Sequence, residues 1–103
     1  MNLPAPIRAY LATRDADSIA ALFTADGTAF DEGRSYSGPD AIRAWRRNVA
    51  DLYTYTSEVT STRRDGDAWV VALHLVGDFP GGEADLEQRF LLAGDKIADL
   101  RIG

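Results

Sequence analysis

Residues Leu22 to Trp45 read LFTADGTAFDEGRSYSGPDAIRAW, and the rest of the chain arranges itself around them. Ile19, Leu22 and Phe23 follow one another as the apolar stripe of a surface helix, which Asp26-Gly27 is predicted to end. Thr28 to Glu32 is short, β-prone and followed by glycine, so it predicts a strand that carries Asp31. A polar loop comes next. Gly38-Pro39 then opens another helix, since proline suits a first helical position, and Ile42, Trp45, Val49 and Leu52 lie along its apolar side. One carboxylate is thereby placed between two helices that each offer an aromatic ring to the same interior.

Upstream, Pro4 and Pro6 fall where a first helical turn tolerates proline, and Ile7, Tyr10 and Leu11 supply the buried stripe of a first helix. Asp15 or Asp17 can cap the second. From Thr54 the periodicity changes to two, which predicts strands over 54–64, 68–78, 84–93 and 96–102. Asp65-Gly66 is a hairpin signal, while Phe79 to Gly82 and Ala93 to Asp95 supply the other turns. Gly81-Gly82 has no helix after it and reads as a turn, not a phosphate loop. With the helices first and the meander last, residues 1–103 form a single α+β domain, its helices on one face of an antiparallel sheet.

Side-chain alternation gives that sheet two faces. If Asp65-Gly66 is a two-residue loop, Ser57 lies opposite His74, and the next turn puts His74 opposite Gln88. The helix-facing side then reads Tyr55, Ser57, Val59, Val70, Ala72, His74, Val76, Leu86, Gln88, Phe90, Ala98, Leu100 and Ile102. The outer side carries Trp69, Val71, Leu73, Leu75, Leu91 and Ile97, beside the charge pairs Arg89–Asp99 and Glu87–Arg101. That patch is too apolar for water, so a homodimer through Trp69, Val71, Leu73, Leu75 and Leu91 is expected.

Composition narrows the function. The chain of 103 residues has a net charge of −5, no cysteine and one histidine. Disulfide and thiolate chemistry are excluded, and a structural zinc site is not expected. An acidic balance argues against a nucleic-acid partner. No apolar run reaches bilayer length, and MNLPAPIRAY lacks the basic and apolar regions of an export signal, so the expected location is cytoplasmic, away from membranes.

Three stretches, RAYLATRDADSIAALFTADGTAFD, YSGPDAIRAW and QRFLLAGDKIADLRI, resemble the nuclear-transport-factor-two-like superfamily, in its branch of SnoaL-like polyketide cyclases and ketosteroid isomerases. The resemblance covers most of the chain. It implies a cone-shaped α+β fold: a curved antiparallel sheet with three helices packed on its concave face, closing over an apolar pocket. It also implies a homodimer through the outer sheet face. In ketosteroid isomerases an aspartate base works beside an oxyanion hole of tyrosine and protonated aspartate. By position, Asp31 matches the base and Tyr10 the tyrosine, whereas Gln88 stands where the acid would be. A glutamine amide still donates a hydrogen bond, but the substitution argues against authentic steroid isomerisation.

The candidate catalytic residues are accordingly Asp31 and His74. A buried carboxylate between apolar walls can move a proton to or from carbon; alternatively, Asp31 caps the loop at Gly33 and Arg34. His74 titrates nearest neutrality, and Ser57 and Gln88 beside it would form a polar layer that orients a ligand, or merely satisfy its ring. Tyr10, Phe30, Trp45 and Tyr55 are candidates for lining a pocket for a small apolar or amphipathic molecule, with Tyr36 and Tyr53 near its mouth. The expected chemistry is proton transfer on a carbonyl compound with no cofactor or metal; the alternative is a ligand-binding or dimerisation module without catalysis.

Overall fold

The computed structural model describes residues 3–52 and 54–103, so Tyr53 lies outside the described residues. The elements are α1 (Ala5–Ala12), α2 (Ala16–Ala21), β1 (Phe23–Asp31), β2 (Arg34–Ser37), α3 (Pro39–Leu52), β3 (Tyr55–Asp65), β4 (Ala68–Gly77), β5 (Glu83–Ala93) and β6 (Lys96–Ile102). The strands form one curved sheet in the order β2-β1-β6-β5-β4-β3, against which three helices pack, giving the expected α+β architecture. Its pairs are antiparallel apart from β1 and β6, which run parallel. No helix among the described residues is long and apolar enough to cross a membrane.

Local chemistry explains the helix-rich half. Asp15 caps α2, accepting from the Ser18 amide at 2.9 Å and from its hydroxyl at 2.7 Å. The helix ends sooner than its apolar stripe suggests, because Phe23 already belongs to β1. Asp26-Gly27 is therefore not a terminating turn. It sits inside β1, where the pairing with β6 shifts register between Phe23 and Thr28. Close approach favours glycine there: a Cβ would meet the Thr24 carbonyl at 3.0 Å, the Phe23 Cβ at 3.1 Å and the Ile97 carbonyl at 3.2 Å, so its neighbours would have to shift by a few tenths of an ångström. The polar segment after Asp31 also differs from expectation, folding back as β2 through Glu32-Gly33. Both residues take positive φ (51° and 78°), as a tight hairpin turn demands. Along α3, Ile42 and Trp45 are buried, whereas Leu52 is exposed at the last position.

The last four strands occupy the predicted segments, but β4 presents the opposite face. Asp65 pairs with Ala68, so the hairpin loop is Gly66-Asp67, and the β3–β4 register shifts again between Val59 and Ser61. The bulge changes which side chains align along the hairpin. Ser57 consequently pairs with Leu75, and His74 with Glu58. Val71 and Leu73 join the buried core, with Trp69 and Leu75 packed against it; Ile97 is also fully buried there. The outward side of β4 instead carries Val70, Ala72, His74 and Val76. The contiguous apolar face expected to require a second subunit is thus the core itself, and of its proposed dimer residues only Leu91 is exposed. Ion pairs cross that outer face over β4, with Arg63 on Glu87 at 2.9 Å and Arg89 on Asp65 at 2.6 Å. They replace the expected Arg89–Asp99 and Glu87–Arg101 pairs, because Asp99 bonds the Thr28 hydroxyl and the Arg101 guanidinium.

The reversed face makes a mutational test direct. Leu73, 3 % exposed, should lose about 2–5 kcal/mol of stability on Leu73→Ala, whereas Val76→Ala should stay within about 0.5 kcal/mol. Urea unfolding of the two variants checks this, and a larger loss at Val76 would reverse the assignment of faces.

Candidate functional site

Alternation along β3, β4 and β5 brings Tyr55, Ser57, Leu73, Leu75, Leu86 and Gln88 to one concave wall. Tyr10, Leu11 and Arg14 complete it from the α1 side, Arg46 and Val49 from α3, and Asp31 from the end of β1. They enclose a cavity of about 610 Å³, closed further by Phe79, Pro80 and Ile102. Its walls are apolar over the leucines, and polar groups gather at two places.

The first is Asp31. The β1–β2 turn fixes the strand end, and the Trp45 indole donates from Nε1 to Asp31 Oδ2 at 3.2 Å. The Tyr36 ring stacks on Trp45 at 5.5 Å with 19° between planes, holding the indole in place. Among the described residues no cation lies within 4.0 Å of this carboxylate, so a neutral donor positions it without neutralising it. The alternative of a loop cap or an Arg34 ion pair is not what the side chain adopts: Asp31 and Arg34 meet as a backbone pair.

The second is Arg46, only 7 % exposed. Its Nη1 donates to the Tyr10 hydroxyl and its Nη2 to the Tyr55 hydroxyl, each at 3.4 Å. The guanidinium carbon lies 4.9 Å from the Trp45 ring centre and 5.7 Å from that of Tyr10. Arg14 approaches the same Tyr55 from its ring face at 4.4 Å. Two buried polar atoms here have no hydrogen-bond partner, Arg46 Nε and Gln88 Oε1. Burial pushes the Tyr10 phenol up to about 12, against a smaller opposing pull from Arg46, so Tyr10 keeps its proton and can donate. For Arg46, burial disfavours the charge, but Tyr10, Tyr55 and Asp31 outweigh it and its pKa is raised.

Of the residues singled out from sequence, Tyr10, Asp31, Tyr55, Ser57 and Gln88 line the cavity together. Trp45 is buried and acts on Asp31 through its indole. Phe30 reaches the cavity rim but is 37 % exposed, with the Arg101 guanidinium 6.0 Å from its ring. His74 is a correction. The reversed face of β4 removes it from the Ser57 and Gln88 layer and places it between acids, with Nδ1 2.8 Å from Asp85 and Nε2 3.2 Å from Glu83. It does not line the cavity. Arg46 is a cavity residue that the sequence analysis does not single out. Its signal was helical: Ile42, Trp45, Arg46 and Val49 occupy i, i+3, i+4 and i+7, which sets an arginine inside the buried stripe.

Residues 7–99 match the SnoaL-like domain family. The chain belongs to that family. A candidate polyketide cyclase from Sinorhizobium meliloti is similar over 98 % of this chain and 95 % of its own, with 28 % identity and a TM-score of 0.90. A protein from Sphaerobacter thermophilus is 32 % identical over 99 % of this chain and 96 % of its own, with a TM-score of 0.73. An epoxide hydrolase/cyclase-like enzyme of pyran ring formation in the polyether salinomycin shares the fold, at 23 % identity over 94 % of this chain and 85 % of its own and a TM-score of 0.76. No curated protein matches the sequence. A SnoaL-like chain with these neighbours has the fold of small-molecule enzymes, which agrees with a concave site between helices and sheet.

For His74, bonds to Asp85 and then Glu83 raise the pKa above the ordinary 6.5. The protonated ring is therefore favoured by folding, so its contribution to stability is complete below about pH 6.5 and fades as pH rises through the folded value. An NMR titration should find the imidazole midpoint above 6.5, returning toward that value in Asp85→Asn; a midpoint at or below 6.5 would remove the acids as its partners.

Proposed function

We propose that this SnoaL-like protein binds a small apolar or amphipathic carbonyl compound in the cavity and catalyses proton transfer on it, in the manner of an isomerase or cyclase. The observation that carries the reading is a carboxylate, Asp31, on the wall of a largely apolar cavity that also contains a phenol kept protonated, Tyr10. Asp31 serves as the base, taking a proton from the carbon beside the carbonyl, with the Trp45 indole holding its orientation. The oxygen that gains charge needs a donor that stays protonated, and Tyr10 meets that need. The Gln88 side-chain amide supplies a second donor from the sheet wall. The leucines exclude water, which strengthens each of these interactions. The family match and the cyclase-like neighbours support chemistry of this type in this fold.

The test uses 2-tetralone, a bicyclic ketone with acidic C–H bonds, in deuterated buffer. The wild type should accelerate exchange at the carbon beside the carbonyl, and Asp31→Asn, which keeps the shape and loses the base, should reduce that acceleration by about two to four orders of magnitude. Tyr10→Phe should slow it as well, without abolishing ketone binding. Binding of the ketone with no acceleration of exchange by the wild type would leave a ligand-binding module in place of an enzyme.

A further inference from the structure

The cavity wall holds a cation that proton transfer at Asp31 does not use. Arg46 keeps its charge at any working pH, and it is buried in the wall instead of extending to solvent. Among the described residues no carboxylate comes within 4.0 Å of it; its nearest polar neighbours are two phenols at 3.4 Å, at the long limit of a hydrogen bond. Each terminal nitrogen carries two hydrogens and uses one on a tyrosine, so the fork retains further donors. A buried charge without a counter-charge is unfavourable unless something completes it. Within the fold the two phenols and the more distant Asp31 favour this charge without pairing it, whereas Arg43 and Arg47 on the same helix both find Asp17. Arg14, which lines the same cavity and lies over the same Tyr55, adds a second positive charge to the wall there.

We propose that the ligand carries a carboxylate, and that it seats on the Arg46 guanidinium between Tyr10 and Tyr55, with Arg14 adding charge behind Tyr55. This rests on the small-molecule reading above and narrows it to an apolar oxo-acid or a related carboxylate. A planar carboxylate matches the guanidinium fork, and the Tyr55 phenol can donate to the same oxygens, leaving the Tyr10 proton for the oxygen that gains charge. The leucine wall takes the apolar body, and the carbon to be deprotonated is directed toward Asp31.

Calorimetric titration with 2-naphthoate and its neutral isostere 2-naphthamide tests the assignment. The wild type should bind the naphthoate about tenfold or more tightly than the amide, the difference expected for hydrogen bonds to a charged group. Arg46→Met should bring the two affinities together, and Arg46→Lys, which keeps charge without the fork, should fall between. The proposal is overturned if the wild type binds both probes equally, or prefers the amide, in which case small-molecule binding itself stands. It is equally overturned if Arg46→Met folds and keeps the preference, or if Arg46→Lys shows no loss. Failure of both probes to bind the wild type would defeat the cavity reading and this assignment together.

Discussion

A guanidinium buried among aromatic rings sets the geometry of the concave side. Arg46 contacts Tyr10 from α1, Trp45 from its own helix and Tyr55 from β3, so one charged group ties two helices to the edge of the sheet. Arginine suits this role because its flat cation packs on ring faces and is weakly hydrated, which lowers the cost of removing it from water. The packing also orients the residues around it. Tyr10 is held edge-on to Phe90 at 5.5 Å and 74°, with its hydroxyl accepting from Arg46. α1 spans only eight residues and has no side-chain cap, so it depends on such contacts, with Ile7 fully buried beneath it.

The part of the wall that carries Asp31 depends on a backbone contact. β1 lies parallel to β6, and the Ile97 amide bonds the Leu22 carbonyl at 2.8 Å where α2 gives way to the strand. Lys96 adds its ammonium to the Ala21 carbonyl at 2.7 Å, satisfying a helix-terminal acceptor that would otherwise face solvent. The close approach at Gly27 lets β1 continue past this junction and deliver Asp31 to the wall. Asp31 and Arg46 therefore reach one cavity by separate routes. The first is positioned by strand pairing and the second by helix packing, and the indole of Trp45 contacts both.

The elements were readable from sequence because apolar spacing and turn residues report local structure directly. The strands from β3 to β6 fell where the period-two pattern put them, and Asp31, Tyr10, Tyr55, Ser57 and Gln88 were found through that pattern and the family resemblance. Register was harder. The side chains of β4 are apolar on both sides over Trp69 to Leu73, so alternation alone does not choose a face. The choice was made by two pairings: β5 sets Val71, not His74, beside Gln88, and a bulge near Thr60, in a run of threonine and serine that carries no distinctive signal, sets Ser57 beside Leu75. His74 moved to the outer surface with that choice, and β2 escaped notice because its pairing needs only four residues. Arg46 was missed for a different reason: arginine is seldom a core residue, whereas its helical position among Ile42, Trp45 and Val49 already placed it inside.

The same bulge has a consequence for association. β3 is an outermost strand of the sheet, eleven residues long, and a regular edge of that length can template the addition of a strand from another chain. The register shift between Val59 and Ser61 interrupts its hydrogen-bonding repeat, and Glu58, Arg63 and Arg64 place charges along it. An incoming strand would have to reproduce the interruption and tolerate both signs of charge. The irregularity that brings Ser57 to the leucine side of the hairpin thus also protects the sheet from growing at its rim.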